Sequence, residues 1–463
     1  MKFNKKMVVL AAAGALSVAT ALPAMALENE FHGSYGFKGF LSNFDRAGAN
    51  NMLSSATTML KKENQANNYF EQRARLTYIA KANDDLKMVT TFELDTRFGG
   101  ITDGKYNLSS DAGGLDADGI NLETKNVYID FNIKPVNFKV GIQGYTDKLK
   151  GVFAGGADLP GIMTTTKLDA LTLGMGYFRF DEAQKTGAVT GRLGGAATDL
   201  FALDATYAVS KDVKAGLSYY FLADYKDKDK LLHTLGLNGE AKVGAVTVSG
   251  FAAIQAGHQK NAQIVTGTKG NTNFHGFAAN VAAKMAVGPG TARTAFLYLS
   301  GDDKKDNQQN AWHPLAGLTG SVSMYNEGAT MMLVRSSGAT GMGNSDDYVR
   351  RTLSDVALYT LGYNAKLTPK AYADANVGVA WAAKNSAAPV DKATTKPNAT
   401  NYIGTEIDVE TGYKVFDNLT AKLQLGYLLL GGYYKGAAAG NPTGQAQDPE
   451  NPYTARVQLT YAF

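Results

Sequence analysis

Along most of this chain apolar and polar residues alternate one by one. Residues 69–82 place Phe70, Ala74, Leu76, Tyr78 and Ala80 on one face and Glu71, Arg73, Arg75 and Thr77 on the other. After the tight Asn83-Asp84-Asp85 turn, residues 86–98 repeat the pattern. Leu86, Met88, Phe92, Leu94 and Phe98 oppose Lys87, Thr91, Glu93, Asp95 and Arg97. A period of two is the signature of an extended strand with one wet face and one apolar face. Eighteen such runs can be traced: 30–41, 69–82, 86–98, 123–134, 137–146, 160–166, 170–180, 199–209, 212–223, 231–241, 244–257, 274–287, 291–300, 352–366, 370–383, 401–414, 419–434 and 453–463. Most are long enough for a tilted strand to cross the hydrocarbon core of a membrane.

The connections sort by length. Short turns at 83–85, 210–211, 242–243, 288–290, 367–369 and 415–418 alternate with long polar loops. A soluble sandwich has no reason to sort its loops this way, whereas an outer-membrane barrel keeps short turns on one rim and long loops on the other. The pattern predicts an all-β fold: a transmembrane antiparallel β-barrel of 18 strands, with 16 as the nearest alternative, short periplasmic turns and long extracellular loops. The count turns on two places. Residues 160–166 make the weakest strand, and 301–351 is read as one outward loop, although 321–335 could conceal a hairpin.

Composition narrows the class further. The 463 residues carry 51 Gly, 24 Tyr and 21 Phe, and only 44% are hydrophobic. Strands that are apolar on alternate residues give this balance. No Pro/Ser-rich linker divides the chain. No segment beyond residue 26 is apolar enough to cross as a helix, which excludes an inner-membrane transporter. Cysteine is absent, so thiolate metal sites and haem attached through CxxCH are excluded. The five histidines (His32, His233, His258, His275, His313) are scattered and read as loop or interface residues, with no metal and no cofactor expected. The net charge of +4 includes Lys2, Lys5 and Lys6, leaving about +1 elsewhere (4 − 3), which gives no nucleic-acid reading.

Those three lysines precede an uncharged run over 7–22, and Ala24-Met25-Ala26 follows as a small-x-small cleavage pattern. Residues 1–26 therefore read as a signal peptide, with 27–463 (463 − 26 = 437 residues) as the barrel.

The last run places Tyr453, Ala455, Val457, Leu459, Tyr461 and Phe463 on one face and Thr454, Arg456, Gln458 and Thr460 on the other. It resembles the terminal strand of bacterial outer-membrane barrels, which implies that Tyr461 and Phe463 form the signal read by the barrel-assembly machinery. The run Asn126-Val-Tyr-Ile-Asp-Phe131, the brief turn after it, and Phe138-Lys-Val-Gly-Ile-Gln-Gly-Tyr145 resemble the hairpin before the constriction loop of Gram-negative outer-membrane porins. The general texture is similar to the OmpJ-type channels of metal-respiring bacteria. The resemblance implies a constriction loop over 147–158, carrying Asp147, Lys148, Lys150 and Asp158, and a homotrimer in the cell outer membrane, in contact with outer-membrane lipid and lipopolysaccharide. Two features depart from the family: its Pro-Glu-Phe-Gly loop motif is missing, and Ile142 stands where its barrel wall has Arg.

Charges fix where selectivity would reside. An Arg or Lys facing lipid at mid-depth costs ~2–4 kcal/mol, which turns charged rows inward. The pore-lining candidates are Arg73, Arg75, Lys87, Glu93, Asp95 and Arg97, with Glu406, Asp408 and Glu410 as an acidic ladder opposed by Ile403, Ile407 and Val409. Phe98, Tyr145, Tyr433, Tyr434, Tyr453 and Phe463 read as interfacial girdle positions. The expected function is a water-filled channel for passive diffusion of small hydrophilic solutes and ions. The alternatives are a substrate-selective channel or a barrel sheath for an electron-transfer cytochrome. A barrel enzyme needs an oriented nucleophile–base pair, and no spacing proposes one. A TonB-dependent transporter needs an N-terminal plug domain, whereas the first strand already starts at Glu30.

Overall fold

The computed structural model describes residues 27–45, 66–99, 122–181, 197–225, 230–263, 269–303, 308–315, 324–327, 330–334, 348–350, 352–384, 390–391, 396–398, 400–439 and 446–463. The proposed signal peptide lies outside them. Among these residues eighteen long strands form one antiparallel sheet. They are β1 Glu28–Ser42, β2 Asn67–Asn83, β3 Leu86–Arg97, β4 Leu122–Ile133, β5 Val136–Tyr145 and β6 Ala157–Leu168. Next come β7 Leu171–Asp181, β8 Thr198–Ala208, β9 Val213–Asp224, β10 Lys230–Val243, β11 Val246–Gln263 and β12 Phe277–Val287. The set ends with β13 Gly290–Leu299, β14 Val356–Lys366, β15 Ala371–Trp381, β16 Tyr402–Phe416, β17 Leu419–Leu430 and β18 Tyr453–Ala462.

Each strand pairs with its neighbour in sequence, and β18 returns to β1 with Ser34 opposite Ala462 and Ser42 opposite Thr454. The sheet is thus a closed barrel with no free edge, which satisfies every strand's backbone polar groups without water. The eighteen-strand prediction holds at each segment. The weakest, 160–166, is a full twelve-residue strand that begins at Ala157, so Asp158 is a strand residue opposite Gly144.

The alternation maps onto the two surfaces. Leu76, Ile162, Leu217, Leu237, Val281, Leu361, Ile407 and Leu459 are exposed on the outside, a surface suited to hydrocarbon. At the rim of short turns Phe463 exchanges two backbone hydrogen bonds with Gly33, at 2.9 and 3.0 Å. Its ring packs over Gly33, in the space that a Cβ at that position would enter.

The inside departs from simple alternation. In the half of the barrel nearest the long loops, the inner face is apolar from β8 round to β17. Leu200, Leu222, Leu232, Leu297, Leu358 and Leu428 are buried there. These side chains are covered by chain folded into the lumen. One such segment is 146–156, between β5 and β6. The other belongs to 301–351, which was expected to face outward. Its Trp312, Leu315, Tyr325, Met332, Leu333 and Val334 are fully buried in the same cluster. Among the described residues of 321–335 there is no hairpin of long strands.

Candidate functional site

Two inward segments form one plug. Leu315 N donates to Phe153 O (2.8 Å), Met324 N to Gly151 O (3.0 Å), Asn326 N to Lys150 O (2.9 Å) and Trp312 Nε1 to Val152 O (3.2 Å). Gly151 is required at this contact. Its φ of +81° is left-handed, and a Cβ would sit 2.2 Å from Met324 O. Each fully buried Leu, Val, Phe or Met of the plug contributes about 1.5–3 kcal/mol against the apolar inner wall.

Within the first segment Asp147 organises the turn. Its carboxylate accepts from the backbone N–H of Leu149 (2.6 Å), Gly151 (2.9 Å), Phe153 (2.8 Å) and Ala154. Burial pushes this carboxyl up to about 6, against the pull of the four donors. Lys150 and Lys284 both reach Glu327, at 2.7 and 2.6 Å, tying the first segment and the wall to the second. Burial opposes the charge on Glu327, yet these two ammonium groups hold its carboxyl below the usual range.

The wall grips the second segment at two points. Glu406 accepts from Met331, Met332 (2.9 Å) and Leu333 (2.7 Å) backbone N–H groups and is fully buried. The Gln255 side-chain amide accepts from His313 N and donates to His313 O, both at 2.8 Å, imitating a strand neighbour. Burial, with the Lys230 ammonium nearby, holds the His313 imidazole down to about 3.

The predicted site residues fall into distinct places. Arg73 meets Asp95 through a two-pronged pair, with Nε–Oδ1 at 2.6 Å, and reaches Glu93 Oε1 at 3.1 Å. Arg75 also binds Glu93, and Lys125 joins Glu93 (4.0 Å) to Asp158 (2.7 Å). A ribbon of alternating charge therefore runs along the inner face from β2 to β6. It stays in contact with water: Arg75 keeps 34% of its side-chain exposure and Asp158 31%. Lys87 lies 3.8 Å from Asp130 near the turn rim, and Arg97 stands opposite Glu71. Lys148 is exposed on the first plug segment.

The acidic ladder divides. Glu406 and Asp408 face inward but are covered by the plug, while Glu410 receives Tyr372 Oη, Gln424 Nε2 (2.6 Å) and Lys422 Nζ (3.5 Å). Ile403 does not face outward as expected. The register shifts between Ala380 and Trp381, and this irregularity turns Ile403 into the apolar cluster. Tyr145, Tyr433 and Tyr434 likewise are buried residues, not girdle positions: Tyr145 shares the inner parity of β5 with Gln143, and Tyr433 and Tyr434 join the apolar cluster.

One inner pair was not anticipated. Arg456 Nη2 binds Asp45 Oδ1 at 2.7 Å with both side chains fully buried, and Thr454 Oγ1 donates to the same carboxylate. A lone Arg on the wet face of β18 carried that signal, but its partner lies beyond the end of β1.

No family model matches the chain, and no curated protein matches it. Solved structures do. OccK5 (OpdH) of Pseudomonas aeruginosa is 12% identical over 94% of this chain and 98% of its own, with a TM-score of 0.52. OccAB4 of Acinetobacter baumannii is 12% identical over 95% and 100%, with a TM-score of 0.55. A BenF-like porin from Pseudomonas fluorescens is 14% identical over 94% and 98%, with a TM-score of 0.52. At these identities the likeness is one of fold along the whole chain.

Proposed function

We propose that this protein is an outer-membrane channel that lets small hydrophilic solutes and ions diffuse passively. One observation carries the reading. In the half of the barrel nearest the long loops, the inner face over β8–β17 is largely apolar and covered by the plug, whereas the inner face over β2–β6 carries a charged ribbon left wet. Solute passes between the plug and that ribbon, so the narrowest part is bounded by both inward segments on one side and by Arg73, Arg75, Glu93, Asp95 and Asp158 on the other. Width and lining charge are what set a pore's selectivity.

The exposed apolar belt supports placement in a membrane, and the porin-like fold supports the outer membrane. Contact with lipopolysaccharide, recognition of Tyr461 and Phe463 by the assembly machinery, a homotrimer and an OmpJ-like specialisation rest on sequence resemblance alone. The plug favours a selective channel over a sheath around a cytochrome, since a sheath needs an unobstructed lumen. Purified protein added to a planar lipid bilayer should give stepwise, near-ohmic currents. A barrel that inserts yet stays silent would refute the channel.

A further inference from the structure

Below the first plug segment, toward the turn rim, lies a cavity of about 170 Å³ between that segment and the inner wall of β6–β8. Tyr145 and Lys148 form its roof, Thr165, Thr172 and Thr206 line its walls, and Asp204 stands among them. Resting on the channel reading above, we propose that this cavity is a binding subsite for a small zwitterion with neighbouring ammonium and carboxylate groups, of the size of a short α-amino acid.

Opposite charges that do not meet carry the inference. Lys148 and Asp204 line the same cavity, yet the two form no ion pair and each keeps capacity to bind. Asp204 Oδ1 accepts from Ser218 Oγ and Tyr220 Oη, both at 2.7 Å, which fixes the carboxylate. Oδ2 accepts no hydrogen bond among the described residues. Tyr145 Oη is buried beside Tyr220 Oη, which itself donates to Asp204, so the open valences of the cavity belong to Lys148 and Asp204.

The chemistry is therefore complementary at both ends of a zwitterion. Lys148 Nζ offers donors to a carboxylate, and Asp204 Oδ2 offers an acceptor to an ammonium. The threonine hydroxyls serve either group. Volume limits the occupant, because drug-sized ligands occupy sites of roughly 300–1,000 Å³. A solute with only one charge would leave either Lys148 or Asp204 unmatched, so the subsite discriminates by charge pattern.

Isothermal titration calorimetry on the purified full-length barrel tests this without requiring current. L-alanine is the probe, with propionate and alaninamide as its single-charge halves. Alanine should bind saturably, and each half at least about tenfold more weakly. Lys148→Gln and Asp204→Asn should each weaken alanine about tenfold or more. Gly174 lines the same cavity, and a Cβ there would meet neighbours only at ordinary contact distance. Gly174→Val should therefore fill the space and abolish binding, which keeps the test decisive if Asp204→Asn fails to fold. Absence of alanine binding, equal binding of propionate, or full binding by Gly174→Val would each overturn the subsite. A silent barrel that binds alanine would refute the channel and leave the subsite standing. A conducting barrel that ignores alanine would do the reverse.

Discussion

Glu93 sits where three cations converge: Arg73, Arg75 and Lys125 all approach its carboxylate. In a wet lumen such a cluster is close to neutral, so single substitutions should tilt it. Glu93→Gln should move the reversal potential in a KCl gradient toward anions, and the double variant Arg73→Gln/Arg75→Gln should move it toward cations. Equal shifts of one sign from both variants would contradict the pairing. This arrangement was within reach of the sequence. A hairpin turning at 83–85 brings residue 73 opposite 95 and residue 75 opposite 93, and the structure has that register, reached through an irregularity between Lys81 and Asn83. The Arg456–Asp45 pair was not within reach, because Asp45 comes from the loop after β1 and no periodicity extends there.

At the scale of elements, strands follow from local alternation and the plug follows from long-range contacts. The segment 301–351 did carry a signal. Trp312 and the run Met331-Met-Leu-Val334 have no place on an outward polar loop. The inner parity of β8 to β17 carried the matching one, with leucines where a water-filled wall calls for polar residues. Neither is decisive by itself, since what joins them is the grip of Glu406 on three backbone N–H groups. Each buried donor left without a partner costs about 1–3 kcal/mol. Glu406→Ala should therefore release the segment around 330–334, seen as faster cleavage by added protease and noisier current, with the barrel intact. His313 makes the docking sensitive to acid. Its folded-state value near 3 lies below the ~6.5 of an unfolded histidine. Its contribution is thus complete above pH 6.5 and is lost as pH falls toward 3. Cleavage of the plug should rise between pH 7.5 and pH 4.5 in the native protein and rise less in His313→Phe, which cannot take a proton.

For the whole molecule, the barrel was legible because all eighteen strands keep one apolar face outward and are joined by short turns on one rim. The path through the barrel was not legible, since it depends on which part of the wall the plug covers. That path can be read directly, because the chain contains no cysteine to interfere with single-cysteine labelling. Thr77, on the ribbon side, shares a hydrogen bond with Thr91 on the inner face, while Ala282 faces inward under the plug and is only 3% exposed. Single-channel current recorded while a charged, membrane-impermeant thiol reagent is applied compares the two positions. Thr77→Cys should be modified, with a clear stepwise fall in current, and Ala282→Cys should be unaffected. Block at Ala282→Cys with none at Thr77→Cys would place the path on the opposite side of the barrel and contradict the account.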